Sequence, residues 1–539
     1  MDKEEPSLLE TGGVRVAIEG CGHGTLHSIY ASVQNAARAR GWSGVDLLII
    51  GGDFQAVRNA ADLTVMSVPV KYRELGDFPE YYSGRVEAPI LTIFIGGNHE
   101  ASSHLWELYY GGWVAPNIYY LGFANVLRFG PIRVAGMSGI WKGFDYNKPH
   151  IERLPFNQDD IKGFYHVREF DVRKLLLLRE QVDVGLSHDW PRAVERSGDE
   201  KALWRLKPDF RQESLDGTLG NPAAGYVMDR LRPAYWFSAH MHCKFTAVKK
   251  YEAPTPVSSD RLPIRPKQDV AAVAAQPGMA ENPDEIALDI DDDEPPAQVP
   301  ELAPTTDGNI VPDDLRAQLP ASFTKPPEKP RGTPGQPVPA TIFNTETRFL
   351  ALDKCTPGRK YIQLSYIKPI TPADDAAQDL CLQYDPEWLA ITRAFHQYLS
   401  IGDRTAKTPV NEGEAAYVEM IDKERAWVDA NIVAKGKLTV PLNFAITAPP
   451  HSPGDPDKVN QQPDEYTSPQ TAEFCELLEI SNLWRATPEE RAARKAQGPP
   501  PEEPRANNRA GGFRGGGRGG SRGGGFGRGS RRGRGRGRG

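Results

Sequence analysis

Short apolar runs recur along the first half of the chain, and each ends in glycine or in a polar cluster. Residues 14–19 alternate apolar and polar side chains, whereas residues 45–50 and 89–95 are mostly apolar and rich in β-branched side chains. Period-two alternation indicates a half-buried strand, and a short apolar run bounded by turn residues indicates a buried one. Similar runs at 182–186 and 235–238 predict two further strands.

The segments between these runs predict helices and shorter strands. A helix is predicted over residues 26–40, directly after the first strand. Shorter, partly antiparallel strands are predicted over 118–121, 126–129 and 132–135. Strands that alternate with helices indicate the α/β class, with α+β-like features where the strands are antiparallel.

The second half of the chain changes character twice. Residues 254–339 are rich in Pro, Asp and Ala and include the acidic run 289–294. Such a segment cannot bury enough apolar surface to offset its chain entropy, so we expect a disordered insert. Order is predicted to return with strands over 349–353 and 361–364 and a helix over 386–395 that begins at a proline. The predicted divisions are a flexible N-terminus at 1–12, a first folded domain at 13–252, a disordered acidic, Pro-rich insert at 253–340, a smaller C-terminal domain at 341–494 and a disordered Arg/Gly-rich tail at 495–539.

The composition narrows the class of protein. Of 539 residues, 39% are hydrophobic, and the chain holds 47 Pro and 52 Gly, so disordered segments are expected to dilute a globular part. No apolar run is long enough to span a membrane, and no signal peptide is recognisable, so we expect no membrane association. Five cysteines at irregular spacing indicate a reducing compartment rather than a disulfide framework.

The net charge of −7 conceals two opposite parts. Residues 509–539 contain ten arginines and no acidic residue, which leaves 54 Lys and Arg against 71 Asp and Glu elsewhere, a net charge of −17. An acidic body with a basic tail is typical of proteins whose tail reaches a polyanion. Nucleic acid is the favoured partner, and a tail that only aids solubility is the alternative.

Metal-ligand residues follow the predicted strand ends. Ligands in α/β sheets bind beyond the carboxyl ends of the strands, so side chains placed there are expected to converge. Cys-x-His and His-x-His pairs place two donors on one side of an extended backbone. The candidate donors are Cys21, His23, Asp53, Asn98, His188, His240 and His242. This set is too large for one tetrahedral site and fits two metals about 3.5–4 Å apart that share a bridging carboxylate and water.

Each of these residues also has a plain structural interpretation. A lone buried histidine is usually hydrogen-bonded in the core, and either this or simple surface exposure is the preferred interpretation of His27, His104, His150 and His166. Lone cysteines are usually small core residues, as expected for Cys243, Cys355, Cys381 and Cys475. Asp53 could be only a turn residue, but the structural interpretation then requires every candidate donor to reach a strand end by accident.

The order of these motifs resembles that of the calcineurin-like metallophosphoesterases, which carry two metals at one end of a β-sandwich flanked by helices. That pattern usually begins Asp-x-His, whereas Cys21 stands in the Asp position here. This replacement, together with the motifs at 52–59, 187–192 and 232–240, resembles the RNA lariat debranching enzyme family. Residues 349–355 resemble that family's C-terminal domain.

The resemblance implies hydrolysis of the 2′,5′-phosphodiester bond at the branch point of an excised intron lariat, giving linear RNA, through a water that bridges two metals. It implies one metal held by Cys21, His23, Asp53 and His242, another held by Asp53, Asn98, His188 and His240, and His99 as the general acid. A thiolate ligand favours Zn²⁺ or Fe²⁺ over Mg²⁺, and Mn²⁺ is expected to substitute.

Residues 138–168 occupy the position of the family's lariat recognition loop. Aromatic rings stack on splayed bases and cations follow the phosphate backbone, which is how branched or single-stranded RNA is held. An ordinary lid packed on the core is the alternative. The candidate substrate-binding residues are Trp141, Lys142, Tyr146, Lys148, His150, Tyr165 and His166.

The implied partner is branched lariat RNA, with splicing-associated proteins reached through the Arg/Gly tail. A nuclear location, with shuttling to the cytoplasm, follows from that substrate. Two other functions stay open at this point: a metallophosphoesterase acting on another phosphoester, and a non-catalytic RNA-binding scaffold with a vestigial site.

Overall fold

Two β-sheets and their flanking helices make up the computed structural model, which describes residues 12–252, 333–371 and 379–502. Predicted features outside these ranges, including the acidic run and nearly all of the Arg/Gly tail, lie outside the described residues. No helix within the described ranges is both long and apolar enough to cross a membrane.

The first sheet has six strands in the order β12-β1-β2-β3-β5-β4. Strands β1, β2, β3 and β5 run parallel, and β12 and β4 are antiparallel to their neighbours. Parallel pairing explains why β2 and β3 are nearly continuous apolar runs, because both faces are covered. The strands are β1 Val14–Glu19, β2 Leu47–Ile50, β3 Thr92–Phe94, β4 Gly112–Ala115, β5 Ile118–Tyr120 and β12 Ile362–Ile367.

The second sheet has seven strands in the order β10-β11-β9-β8-β7-β6-β13. Its centre, from β11 through β9 and β8 to β7, is parallel, and the outer strands are antiparallel. The strands are β6 Ala124–Phe129, β7 Ile132–Met137, β8 Val184–Ser187, β9 Tyr235–Ser238, β10 Phe245–Lys250, β11 Glu346–Ala351 and β13 Leu382–Tyr384. The sequence prediction missed β4, β10 and β13.

The two sheets pack face to face, and helices cover their outer faces. Ile18 and Ile50 of the first sheet share one core with Leu186 and Phe237 of the second. The outer face of the second sheet packs Trp236 among apolar side chains of α5 and α8. This arrangement confirms the predicted α/β sandwich. The helices are α1 Leu26–Ala39, α2 Phe78–Tyr82, α3 Ser102–Trp106, α4 Gln158–Gly163, α5 Glu169–Leu176, α6 Glu200–Leu206, α7 Phe210–Asp216, α8 Pro222–Leu231, α9 Pro386–Phe395, α10 Glu414–Val428, α11 Pro469–Leu477 and α12 Pro488–Gln497.

The C-terminal segment completes both sheets. Strand β11 lies between β9 and β10, β12 pairs with β1, and β13 pairs with β6. Beyond the sheets, the Arg58 guanidinium donates to Thr447 Oγ1 over 2.9 Å, and the Asn59 amide donates to the Pro449 carbonyl over 2.7 Å. The segment predicted as a smaller C-terminal domain thus contributes three strands to the two sheets.

Two predicted boundaries differ from the structure. Residues 333–340, assigned by sequence to the disordered insert, are described, and the Arg230 guanidinium donates to the carbonyls of Gly335 and Pro337 over 3.2 Å each. Residues 495–502, assigned to the tail, are also described, because α12 continues to Gln497. Hydrophobicity alone misses such segments, since polar contacts with the folded body order them.

A buried ion-pair network ties α9 to the second sheet. The fully buried Asp385 carboxylate accepts from Arg133 Nη2 at 2.7 Å and from Arg128 Nε at 2.9 Å, and it also caps α9 through the Trp388 amide at 3.0 Å. Burial raises the pKa of Asp385, but the guanidiniums of Arg133 and Arg128 outweigh burial and hold the pKa at about 2.

We expect Asp385→Asn to lower the free energy of unfolding at neutral pH by about 2–3 kcal/mol, because a carboxyl pKa held near 2 is worth about that much. The depressed pKa makes this contribution fully present above pH 4 and loses it as pH falls from about 4 towards 2. Urea unfolding between pH 7 and pH 3 measures the difference. Asp209→Asn, at an exposed carboxylate, is the matched control. A difference from the unmodified protein that stays constant over this range would contradict the assignment.

Candidate metal centre

The predicted metal ligands lie where five parallel strands end on one side of the sandwich. The first sheet contributes the ends of β1, β2 and β3, and the second sheet contributes the ends of β8 and β9. Cys21 and His23 follow β1, Asp53 follows β2, Asn98 and His99 follow β3, His188 follows β8, and His240 and His242 follow β9.

One group of four donors is tightly clustered. Ligand atoms of Cys21, His23, Asp53 and His242 all lie within 4.8 Å of one another. The Nε2 atoms of His23 and His242 are 3.4 Å apart, and His23 Nε2 lies 3.7 Å from Asp53 Oδ2. Sulfur, nitrogen and carboxylate donors at this spacing fit a divalent transition metal.

Of the remaining donors, His188 faces the other oxygen of the Asp53 carboxylate and has His240 beside it. His188 Nε2 lies 3.4 Å from Asp53 Oδ1, and the rings of His188 and His240 are 5.0 Å apart. The buried Oδ1 of Asn98 has no hydrogen-bond partner among the described residues. A buried carbonyl oxygen without a partner is costly, and a cation would satisfy it. The donor set therefore fits a second metal beside the first.

Four candidate ligands have backbone conformations that side-chain-bearing residues rarely adopt. The φ angles are +42° for His23, +47° for Asp53, +61° for His240 and +46° for His242. This left-handed conformation costs about 1–3 kcal/mol for each residue, and residues that adopt it cluster at functional sites. The strand ends thus turn sharply to direct these side chains inward, and the surrounding fold offsets the strain.

The Gly51 carbonyl orients His188. His188 Nδ1 lies 2.8 Å from this carbonyl, which can only accept, so Nδ1 carries the proton and Nε2 is free to face Asp53.

Two glycines, Gly52 and Gly97, make room for the centre. Gly52 has φ +124°, and a Cβ there would collide with the His188 ring. A Cβ at Gly97 would collide with the Asp53 carboxylate.

The electrostatics of the site favour a bound cation. Burial raises the pKa of Asp53, but the imidazoles of His188, His99 and His23 outweigh burial and hold the pKa well below its usual range. Burial raises the pKa of the Cys21 thiol well above its usual range, and the charge of Asp53 adds to the effect. A thiolate in this place needs a positive charge beside it, which is how metal binding couples to thiol ionisation.

Glu100 joins the loops that carry Asp53 and Asn98. Its carboxylate accepts from the backbone N–H of Phe54 at 2.8 Å, Gln55 at 2.8 Å and Gly97 at 2.9 Å. Burial raises the pKa of Glu100 to about 7, although these three hydrogen bonds act to lower it. The sequence places Glu100 beside the site but assigns it no role, because the three donors come from two separate loops.

His99 stands next to the clustered donors. Its backbone N–H donates to Asp53 Oδ1 over 2.9 Å, its side chain is buried, and its ring centre lies 5.6 Å from that of His23.

Gln55 contacts a candidate ligand, and the sequence analysis did not predict this contact. Its Nε2 lies 3.4 Å from His23 Nδ1. A glutamine carries no sequence signal that separates such a role from surface exposure.

The candidate substrate-binding histidines are integrated into the core. His150 Nε2 lies 2.7 Å from Asp171 Oδ2, and His166 Nδ1 lies 2.6 Å from Asp145 Oδ2; both histidines are buried. The hydroxyl of Tyr165 pairs with Ser67 at 2.8 Å. These contacts favour the structural interpretation of these three residues.

Other members of residues 138–168 differ in exposure: Trp141 and Tyr146 pack against the core of the second sheet, whereas Phe144 is exposed. The half-buried rings of Trp141 and Tyr146 pack 4.7 Å apart, and Lys148 Nζ lies 2.9 Å from Asp145 Oδ1. Phe144 is 71% exposed, although aromatic rings of this size are usually covered. Lys142 is half-buried. The segment therefore exposes one aromatic ring, that of Phe144, and leaves the side chains of Trp141, Lys142, Tyr146 and Lys148 partly exposed.

Comparison with known proteins gives the class of this protein and then its family. Residues 14–244 match the family model of the calcineurin-like phosphoesterases, and residues 344–483 match that of the lariat debranching enzyme C-terminal domain. The chain is thus a metal-dependent phosphodiesterase of the calcineurin-like class, as predicted.

Three curated relatives show the particular family. The lariat debranching enzyme of Schizosaccharomyces pombe is 40% identical over 465 residues, covering 86% of this chain and 96% of the relative. The human enzyme is 38% identical over 470 residues, covering 87% and 70%. The Arabidopsis thaliana enzyme is 36% identical over 475 residues, covering 88% of each. This chain belongs to the lariat debranching enzyme family.

We expect Glu100→Gln to reduce the divalent metal retained by the purified protein and to lower its midpoint of thermal unfolding. The substituted amide replaces one acceptor oxygen with an N–H₂ group that opposes a backbone N–H, which costs about 1–3 kcal/mol. Elemental analysis of metal per chain and a thermal melt measure the two effects. Glu87→Gln, at an exposed carboxylate, is the control. Unchanged metal content in the Glu100 variant would show that the two loops hold their places without this carboxylate.

Proposed function

We propose that this protein hydrolyses the 2′,5′-phosphodiester bond at the branch point of excised lariat RNA. The observation that carries the proposal is the Asp53 carboxylate, whose Oδ2 faces His23 and whose Oδ1 faces His188. One carboxylate between two donor groups is the arrangement that a pair of metals requires. The relatives' printed names supply the lariat substrate.

Cys21, His23, Asp53 and His242 would hold one metal, and Asp53, Asn98, His188 and His240 would hold the other. When bound, such a pair supplies a nucleophilic water at neutral pH and neutralises charge on the phosphate. The Cys21 sulfur makes Zn²⁺ or Fe²⁺ the preferred ion for the first position, with Mn²⁺ as a substitute.

His99 is the proposed general acid. Its backbone hydrogen bond to Asp53 fixes the residue beside the phosphate position, and its imidazole would donate a proton to the leaving 2′ oxygen. Histidine is the side chain used most often for proton transfer in catalysis. Burial restricts the orientations that the His99 ring can adopt.

Cleavage of a synthetic branched RNA, with a linear 3′,5′-linked RNA as control substrate, tests the function. We expect the metal-loaded protein to cleave only the 2′,5′ bond and His99→Ala to lower kcat by about 10²–10⁴-fold, the usual worth of a general acid. His27→Ala, at a surface imidazole that is 45% exposed, is the control variant. Cleavage of neither RNA, with hydrolysis of a small phosphodiester, would assign the site to another phosphoester. A protein that retains no metal would be a scaffold instead.

We propose that the RNA contacts the exposed ring of Phe144 and the partly exposed side chains of Trp141, Lys142, Tyr146 and Lys148. Stacking of a base on such a ring is worth about 1–3 kcal/mol. The hydrogen bonds of His150, Tyr165 and His166, described above, hold the segment that carries these residues in place.

We expect Phe144→Ala to raise KM for branched RNA by about 5–150-fold, the range that corresponds to loss of one stacked base, with a much smaller effect on a small phosphodiester. Steady-state kinetics on both substrates measure this. Leu215→Ala, at another apolar side chain that is 71% exposed, controls for loss of surface area. Equal losses on both substrates would exclude a recognition role for this ring.

The place of action and the tail remain proposals that follow from the substrate. We propose that the protein acts in the nucleus, where introns are excised, and that the Arg/Gly tail binds RNA or splicing-associated proteins without taking part in the chemistry. Exclusion of the full-length chain from nuclei would contradict the first point. A tail deletion that abolished turnover at saturating RNA would contradict the second.

A further inference from the structure

The loop between β11 and β12 lies against the carboxyl end of β1. The Cys21 N–H donates to the Asp353 carbonyl over 3.4 Å, and the Cys355 N–H donates to the Cys21 carbonyl over 3.3 Å. Cys21 and Lys354 thereby form a parallel bridge. The C-terminal segment therefore places a lysine in backbone register with a candidate metal ligand.

Four more cations belong to this loop or to the segments next to it. Lys244 follows His242 by two residues, and its ammonium donates to Gln363 Oε1 over 2.8 Å. Arg359 lies 3.5 Å from Asp353, and the Lys360 carbonyl accepts from the Asp353 N–H over 3.2 Å. The fifth cation is Lys207, the residue directly after α6. We call Lys207, Lys244, Lys354, Arg359 and Lys360 the basic rim.

The carboxyl group of Asp353 lies among the cations of the basic rim. Burial raises the pKa of Asp353, while the charges of Arg359 and Lys207 oppose the rise. Three members of the basic rim, Lys354, Arg359 and Lys360, lie on the one loop that contacts Cys21.

The basic rim contrasts with the charge of the rest of the protein. Apart from the arginines of 509–539, the chain carries 54 Lys and Arg against 71 Asp and Glu. A cluster of like charges on an acidic body repels itself, and an anion bound there relieves the repulsion. Asp353, which is 8% exposed, offsets only part of the cluster's charge.

The strand order places the basic rim and residues 138–168 on opposite flanks of the metal centre. In the first sheet, β12 lies beyond β1, whereas Gly139 pairs with Gly96 at the end of β3. In the second sheet, β10 and β11 lie beyond β9, whereas residues 138–168 follow β7. The donors of the metal centre come from the strands between these flanks.

We propose that the basic rim binds the sugar-phosphate backbone of one strand of the branched RNA as that strand leaves the metal centre. The inference rests on the proposed function. A branch point joins three strands, and residues 138–168 present the exposed ring of Phe144 for a base, so the flank that carries the basic rim fits a sugar-phosphate backbone. Because lysine and arginine contact phosphate without reading bases, this contact is independent of sequence.

Lys207→Gln, Arg359→Gln and Lys360→Gln, combined in the full-length, metal-loaded protein, test the proposal while leaving Lys354 beside Cys21 in place. We expect KM for branched RNA to rise at least tenfold more than KM for bis(4-nitrophenyl) phosphate. We also expect the slope of log KM against log salt to fall by about 2, since each lost phosphate contact to single-stranded RNA removes about 0.7.

A matched triple variant removes the same charge elsewhere: Lys423→Gln on α10 with Lys435→Gln and Lys437→Gln after it, all exposed. An equal rise in KM for this control would show that overall charge, not the basic rim, attracts RNA. An unchanged salt slope in the rim variant would overturn the proposal. If the unmodified protein does not cleave branched RNA, the proposed function fails, while the Kd for a single-stranded RNA still tests the basic rim.

Discussion

The whole site depends on one buried carboxylate that is shared between two groups of donors. Asp53 is withdrawn from water, held in a left-handed backbone conformation and kept ionised by the imidazoles around it. Burying the charge of a lone carboxylate is costly, so such a group would take up a proton instead. The surrounding histidines therefore stabilise the ionised Asp53, and Asp53 in turn positions them. The glycines at 52 and 97 exist in this arrangement because any side chain there would occupy the space of the carboxylate or of His188.

The C-terminal segment is part of the catalytic fold rather than an attachment to it. β12 covers the edge of β1, and the loop before it reaches the backbone of Cys21. Without that segment β1 would present an unpaired edge, and the turn that holds Cys21 would lose two hydrogen bonds. The basic rim is a consequence of the same pairing, since the loop that supports a candidate ligand also carries cations to the flank of the centre.

Positioning in this site comes from a second layer of backbone contacts. Glu100 gathers three N–H groups from two loops, and the Gly51 carbonyl orients His188. Each contact fixes a loop that strand periodicity alone would leave free to move. The geometry of the donors is therefore as dependent on these acceptors as on the strands, which is why a change at Glu100 is expected to alter metal retention.

The sequence by itself determined that short buried strands end in metal-ligand residues, because period-two patterns and glycine turns are local properties of the chain. It also identified the family through motifs that lie within single loops. It did not determine that β11 and β12 join the first domain, or which carboxylates pair with His150 and His166. Those outcomes rest on contacts between residues distant in the chain, and only tertiary packing decides which strand pairs with which and which polar group finds a buried partner.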